Sequence, residues 1–416
     1  MDAGTHGAAP RINAGRLLDS LHTLGGIGAL EGGGCCRLAL TDADRAGRDW
    51  TVARMRALGM SVTIDAIGNG VAVHPGFEAL PPVMIGSHID TVRTGGLYDG
   101  NYGVMAGLEV VAALRDAGLR TRRPIAVAFF TNEEGARFQP DMMGSLVYVG
   151  GLDLAGTLAT RGIDGAAVGE ELARIGYAGA APVGAPEVDS FIELHIEQGP
   201  VLDAQGTRIG IVEGVQGISW TEFTVHGVSN HAGTTPMSMR RDAGVVAARV
   251  AVFARELTRR YGGRQIATVG AIEFTPGLIN VIPNRATFTA DLRNTDEAVL
   301  AQAEAELLAF AQHAAEEEGT RIEHRRLARF EPVAFDPMVV DLVAQEAAAL
   351  GLSTLRLPSG AGHDAQMLAR VCPTGMIFVP SVDGLSHNVR EHTAPQDLAN
   401  GAQVLLQVAL RLANRP

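Results

Sequence analysis

The stretch Val83-Met84-Ile85-Gly86-Ser87-His88-Ile89-Asp90-Thr91 runs a short apolar segment straight into a histidine and an acid. That is the pattern of a buried strand that delivers polar side chains at its carboxyl end. Four more segments have the same form: Ile125 to Phe130 before Thr131-Asn132-Glu133-Glu134, Phe191 to Leu194 before His195, Gly210 to Val212 before Glu213, and Met376 to Val379 before Ser386-His387. Open parallel α/β sheets bind their ligands in the crevice outside the carboxyl ends of the strands. The expectation is therefore an α/β fold with its histidines and acids gathered along one sheet edge.

The whole chain bounds this reading. At 416 residues it is about twice the usual size for a single core, so two domains are expected. Hydrophobic residues at 46% and charged residues at 19% suit a globular enzyme and exclude extended disorder. The formal charge of -12 comes without a long single-sign block, which argues against nucleic acid or an anionic membrane as partner. Met1 to Arg16 has no apolar stretch of a secretory signal and no later segment has the length of a membrane span, so the cytoplasm is the expected compartment. The three cysteines, Cys35, Cys36 and Cys372, lack paired metal or redox spacing and read as reduced and structural.

Between Gly217 and Glu331 the pattern changes to strands and two helical stretches, Asp242 to Tyr261 and Thr295 to Glu318. Asn284 to Arg293 alternates, with Ala286, Phe288, Ala290 and Leu292 on one face and Thr287, Thr289, Asp291 and Arg293 on the other. An α+β domain of residues 217–331 is thus expected inside a discontinuous first domain, 1–216 with 332–416. The glycine-rich Val212 to Gly217 is its expected hinge.

Single residues carry little chemistry until they are combined. His88 ends a buried strand, and Asp90 two residues on is an acid of the kind that holds the second nitrogen of a metal-bound imidazole. A hydrogen-bonded structural histidine fits the same pattern. Asp99, in a glycine-rich turn before a helix, reads by itself as no more than a helix cap. The adjacent Glu133 and Glu134 repel unless a cation lies between them, and with a metal one can coordinate while the other moves protons; a solvated acidic loop is the plainer alternative. Together with His195 and His387 they form a compact nitrogen and oxygen donor set.

The motifs GSHIDTV (86–92), YDGNYGV (98–104), TNEEGARF (131–138), ELHIEQGPVL (193–202), NHAGTTPM (230–237) and SGAGHDA (359–365) resemble those of the hydantoinase/carbamoylase branch of the dinuclear aminoacylase and carboxypeptidase-like metallohydrolases. The resemblance extends over essentially the whole chain after the first dozen residues. It implies a mixed, mostly parallel sheet flanked by helices, with an inserted lid and dimerisation domain. It also implies two divalent ions, zinc first with manganese or cobalt as alternatives. Asp99 would bridge them, His88 and His195 completing one site and Glu134 and His387 the other, with Glu133 as general base. Relatives carry a cis peptide after the bridging acid, so Asp99-Gly100 is expected to be cis.

On the substrate side, the resemblance implies that His231 stabilises an oxyanion from the lid of a partner subunit in a homodimer. Asn280 and Arg293 would grip a carboxylate, since a guanidinium matches one bidentately; a salt bridge between Arg293 and Asp291 is the plainer reading. Gln198 is expected at the carbamoyl amide, and Gly360 to let backbone approach the substrate. His363 is taken with the substrate residues, its part undecided between contact and support. The expected reaction is hydrolysis of a small ureido carboxylate, first an N-carbamoyl-L-amino acid, with allantoate or a β-ureido acid as alternatives. A catalytically silent metal- or ligand-binding protein on the same fold is the non-enzyme alternative.

Overall fold

A computed structural model describes residues 10–416. Met1 to Ala9, and with them part of the amino-terminal segment read above, lie outside the described residues. The chain forms two compact units: the described residues up to Gly214 with Ala334–Pro416, and Val215–Val333.

The first unit opens with β1 (Ser61–Ile64), β2 (Gly70–His74), β3 (Val83–His88), β4 (Ile125–Phe130), β5 (Ser190–Ile196) and β6 (Ile209–Val215). After β7 (Gly217–His226), β8 (Ile266–Thr268), β9 (Ile272–Thr275), β10 (Arg285–Asn294) and β11 (Arg321–Phe330), which belong to the second unit, come β12 (Val333–Ala334), β13 (Thr354–Ser359) and β14 (Thr374–Val379). The larger sheet runs β1-β2-β4-β3-β5-β14-β6, with β12 and β13 both on β6. Its middle strands, β4, β3, β5 and β14, are parallel to one another, and β2 and β6 flank them antiparallel. Every residue of β3, β4, β5 and β14 is buried, as expected of parallel strands covered on both faces. The fold is α/β with a mixed sheet, parallel in its four central strands while β1/β2, β2/β4 and β14/β6 are antiparallel, so it is less parallel than expected.

The fourth apolar run, Gly210 to Val212, departs from expectation. It is β6, which pairs antiparallel with β14, so its carboxyl end points away from those of the parallel strands. Glu213 accordingly faces Arg356, 3.6 Å away, and takes no part in the cluster of acids and histidines.

The helix Asn101–Asp116 is buried along nearly its whole length, and two glycines let it lie close on the sheet. A Cβ on Gly103 would come within 2.7 Å of the Leu194 carbonyl oxygen, and one on Gly107 within 3.0 Å of Ile85. This close approach holds the helix's amino-terminal end, with Asp99 just before it, over β3 and β5.

In the second unit β7 to β11 form an antiparallel sheet, ordered β11-β7-β10-β8 with β9 on β10. Ala286, Phe288, Ala290 and Leu292 are buried under the helices Ala243–Tyr261 and Glu297–Glu317, whose Val246, Val250, Leu257, Leu300 and Leu307 share that core. Each helix begins one or two residues after the sequence pattern suggests, because Asp242 and Asp296 act as amino-terminal caps, accepting from the amides of Gly244 and Val299. No helix among the described residues is long and apolar enough to cross a membrane.

Gly103→Ala tests the close approach. Forcing a methyl against the Leu194 carbonyl is expected to cost about 1–3 kcal/mol, read as a lower denaturation midpoint. An unchanged midpoint would mean that the helix and β5 do not approach so closely.

Candidate metal centre and catalytic cavity

Asp99 stands at the centre of the cavity, its two oxygens facing different partners. Oδ1 lies 3.5 Å from His88 Nε2 and 3.2 Å from His195 Nε2, while Oδ2 lies 3.2 Å from His387 Nε2. His387 Nε2 is also 3.3 Å from Glu134 Oε2, and His88 Nε2 is 3.3 Å from Glu133 Oε2. These residues reach one place from five different segments. His88 comes from the end of β3, Asp99 from the turn before the 101–116 helix, Glu133 and Glu134 from the loop after β4, and His195 from β5. His387 comes from the loop after β14. With Gln198, His363, Asp141, Ala361 and Gly362 they line a cavity of about 120 Å³.

The donor set fits metal ions. Two groups, His88, Asp99 and His195, and Asp99, Glu134 and His387, each gather three ligand atoms within 4.8 Å of one another. Donors around a tetrahedral ion with bonds of about 2.0–2.1 Å stand about 3.3 Å apart, which is the spacing seen here. The tautomers agree. His88 Nδ1 is 2.9 Å from the Asp90 carbonyl oxygen and His195 Nδ1 is 2.8 Å from the Ile196 carbonyl oxygen. A carbonyl can only accept, so in the neutral ring Nδ1 carries the proton and Nε2 the lone pair; that of His195 accepts from the Gly100 amide (3.1 Å) next to Asp99, and that of His88 faces Asp99.

The electrostatics make the same demand. Burial pushes Glu133 well above the usual carboxylate range, and burial with the neighbouring Asp99 lifts Glu134 to about 8. Burial works against an ionised Asp99 as well, but the imidazoles of His195, His387 and His88, when they carry a proton on Nε2, hold it well below its ordinary value. His387 is raised to about 9, first by its hydrogen bond with Asp99. So many buried acids call for positive charge among the imidazoles, and divalent ions supply it most compactly.

Asp90 does not hold the second nitrogen of His88. That nitrogen meets the backbone carbonyl of Asp90, whose carboxylate instead accepts from the amides of Glu133 (3.2 Å) and Glu134 (3.3 Å). Two residues along an extended backbone leave the carbonyl nearer the ring than the side chain, and so Asp90 orients the glutamate pair. Asp99-Gly100 is not cis either: among the described residues the cis bonds are Gln139-Pro140, Ala185-Pro186 and Thr275-Pro276. The turn is made by Gly100 at φ 64°, where a Cβ would strike the His88 ring at 2.4 Å.

Gln198, at φ 56°, donates its amide nitrogen to Asp99 Oδ2 (2.9 Å) and leaves its amide oxygen buried without a donor. His363 is buried, and its Nε2 meets Ser359 Oγ at 2.9 Å. That hydroxyl donates to the Ala361 carbonyl, so it accepts from His363, and burial keeps the ring neutral. Gly360 is not part of the lining, and a Cβ there would meet nothing within 4 Å; the close approach in that loop is at Gly362, beside Met142.

His231, Asn280 and Arg293 belong to the second unit. His231 Nδ1 accepts from the amides of Gly233 and Thr234, which leaves the proton of the neutral ring on an exposed Nε2. Asn280 lies beside it, its carbonyl bonded to the Ala232 amide. Arg293 is paired with Asp291, as the plainer reading had it, through Nε at 3.1 Å and Nη2 at 2.9 Å.

Two buried acids behind the cavity lining, Glu391 and Glu193, support its residues. Glu391 accepts from the amides of Tyr98 and Asp99 and from Ser386 Oγ, which also reaches Asp99 Oδ2. Burial and the charge of Asp99 raise Glu391 to about 7. Glu193 was visible as an acid inside an apolar run; it accepts from Ser87 Oγ and the Ala365 amide, tying β3, β5 and the His363 loop together.

The chain belongs to peptidase family M20/M25/M40, whose sequence model matches residues 84–411, a family of metal-dependent hydrolases. It is similar, at 42% identity over 405 residues and 97% of each chain, to an N-carbamoyl-L-amino-acid amidohydrolase of Rhizobium meliloti. An allantoate amidohydrolase of Escherichia coli is 34% identical over 401 residues, 95% of this chain and 97% of that one. Among solved structures, an amidase of the hydantoinase/carbamoylase family from Burkholderia multivorans superposes with a TM-score of 0.95 at 44% identity, over 98% of this chain and 99% of that one.

Asp90→Asn keeps the shape but turns a donor toward the glutamate amides. Loss of such a support typically weakens metal affinity about 10–100-fold, to be read by competition with a chelator. Wild-type affinity in the variant would remove Asp90 from this role.

Proposed function

We propose that this protein is a dinuclear metal-dependent amidohydrolase that cleaves the ureido C–N bond of an N-carbamoyl-L-amino acid, releasing the amino acid, ammonia and carbon dioxide. The observation that carries the reading is the divided Asp99 carboxylate, one oxygen toward His88 and His195 and the other toward His387, with Glu133 beside it. His88, Asp99 and His195 would hold one ion and Asp99, Glu134 and His387 the other. Zinc is the first choice, with manganese or cobalt accepted by the same ligands. When bound, the ions would make water a much stronger acid and polarise the carbonyl, which a ureido group needs because two nitrogens donate into it.

The chain's own groups do the rest. Glu133 faces the cavity and takes a proton from the attacking water, then returns it to the leaving nitrogen. Its raised affinity for a proton, caused first by burial, suits both halves of that task. The unpartnered amide oxygen of Gln198 is an acceptor ready for a carbamoyl N–H. His231 donates from Nε2 to the developing oxyanion, and Asn280 and Arg293 hold the substrate carboxylate.

The length of β10 supports a homodimer. Arg293 pairs with Ile218 at one end of that strand, while Arg285, at the other end, adjoins the turn that leads to Asn280 and His231. Eight residues of strand span about 26 Å, more than one small substrate can bridge. If Arg293 and His231 both act on one substrate molecule, they come from two copies of the chain.

A hydrolysis screen of N-carbamoyl-L-amino acids, N-carbamoyl-β-alanine and allantoate, with zinc, manganese or cobalt added, tests the reaction. Turnover of the first group is expected. Glu133→Gln should retain metal and lose turnover, whereas Glu134→Ala should lose metal; equal metal loss in both would remove Glu133 from the role of base. Turnover of none of these substrates would leave a metal- or ligand-binding protein.

Subunit mixing tests the dimer. Glu133→Ala and His231→Ala chains, each inactive alone, should after exchange recover about a quarter of wild-type activity, because half the dimers are mixed and each has one complete site. No recovery after confirmed exchange would assign His231 to its own chain's site.

A further inference from the structure

One charged residue of the cavity wall has no task in this scheme. Asp141 lines the cavity, yet it belongs to neither group of residues able to share an ion with Asp99. Among the described residues no ion pair and no hydrogen bond from another side chain reaches its carboxylate. The nearest guanidinium in sequence, Arg137, is committed to Asp164, Glu171 and the Ala39 carbonyl. Of the four imidazoles in the lining, His88, His195 and His387 face Asp99, and His363 is kept neutral by burial and bonded to Ser359. Burial raises the pKa of the Asp141 carboxyl against the opposing hydrogen bond from its own backbone amide, and no neighbouring charge adds to either.

The position of Asp141 is imposed by the loop. Asn132 Nδ2 donates to the carbonyls of Phe138 (3.0 Å) and Pro140 (3.2 Å), and Gln139 Nε2 donates to the Gly135 carbonyl (2.7 Å). The Met142 amide returns to the Glu133 carbonyl at 2.7 Å. Gly135, at φ 63°, leaves just enough room, since a Cβ on it would sit 2.9 Å from the Asp141 backbone. A loop closed in this way holds Asp141 at a set point of the cavity wall. Next to it Met142 touches Gly362, so Asp141 shares a wall with the small residues Ala361 and Gly362, which leave space for a substrate side chain.

We propose that Asp141 is a specificity residue that selects N-carbamoyl amino acids whose side chain carries a positive charge, an ammonium or a guanidinium, placed against its carboxylate. The inference rests on the ureido-hydrolase reading and narrows it to a substrate class. A cation there makes a charge-assisted hydrogen bond with a carboxylate that otherwise lies partly buried with its own backbone amide as donor and no counter-charge. An apolar side chain of equal length leaves it so.

The test compares kcat/KM for Nα-carbamoyl-L-lysine, N-carbamoyl-L-norleucine and Nα-carbamoyl-L-citrulline, which present a cation, an apolar chain of similar length and neutral N–H donors. The wild type is expected to favour the lysine derivative over the norleucine derivative at least tenfold, with the citrulline derivative below the lysine one. Asp141→Asn should bring the lysine-to-norleucine ratio close to one; because both substrates are read in the same variant, a general loss of activity cancels. A wild-type ratio near one, a citrulline derivative faster than the lysine derivative, or a ratio that survives Asp141→Asn each overturns the assignment, and the first two need no variant. If the neutral derivatives turn over without any preference for charge, only the role of Asp141 falls. If no N-carbamoyl compound turns over, the ureido reading falls with it.

Discussion

A single carboxylate divided between two sets of nitrogen donors governs the first unit. For Asp99 to face His88 and His195 with one oxygen and His387 with the other, three strand ends and a helix start must converge within a few ångströms. The parallel order of β4, β3, β5 and β14 makes the strand ends coincide, and Gly103 and Gly107 let the 101–116 helix settle deeply enough to bring Asp99 over them. The turn is then clamped from both sides. Glu391 accepts from the amides of Tyr98 and Asp99, and the fully buried guanidinium of Arg37 bonds the Ile89 carbonyl and the Asn101 side chain at 2.7 Å each. Among the described residues Arg37 has no carboxylate partner; it is held by the carbonyls of Leu24, Ile27 and Ile89, by Asn101 and by Cys35 Sγ. A positive charge left in that setting favours the acidic cluster nearby.

The same convergence has a cost, which identifies the cavity as a working site rather than as a stabilising core. Buried carboxylates crowd together there, and Glu133, Glu134 and Glu391 all hold protons more tightly than exposed acids do. Backbone conformation adds to it. Asn132, Met142, Gln198 and His387, all in the loops around the cavity, sit at positive φ without being glycine, at about 1–2 kcal/mol each. Metal binding relieves the charge, and the closed hydrogen bonding of the loops holds the backbone.

In the second unit the governing constraint is length. A ten-residue strand under two helices makes a stiff plate, and its two ends display different chemistry: a paired guanidinium at one, a histidine with a free Nε2–H and an asparagine at the other. Rigid elements keep such groups apart, so any site that needs both ends draws them from separate copies.

Much of this was legible in the residues. Buried parallel strands, the alternation of Ala286 to Leu292, the helices that follow Asp242 and Asp296, and the gathering of His88, Asp99, Glu133, Glu134, His195 and His387 all follow from hydrophobic period and from motifs that hold residue type and spacing together. What the residues did not decide was direction and atom-level contact. β6 looks like its parallel neighbours in composition, and only its pairing with β14 turns Glu213 away from the cavity. Asp90 is a plausible partner for an imidazole in the sequence, yet the fold gives that ring a carbonyl and gives the carboxylate to two amides. Glu391 and Asp141 carry no local pattern, because an acid in a loop has the same appearance whether it faces water or a cavity. Period and propensity act over neighbours in the chain and so determine the elements, but the partner of a polar atom is set by segments hundreds of residues apart, and that is settled only when the chain packs.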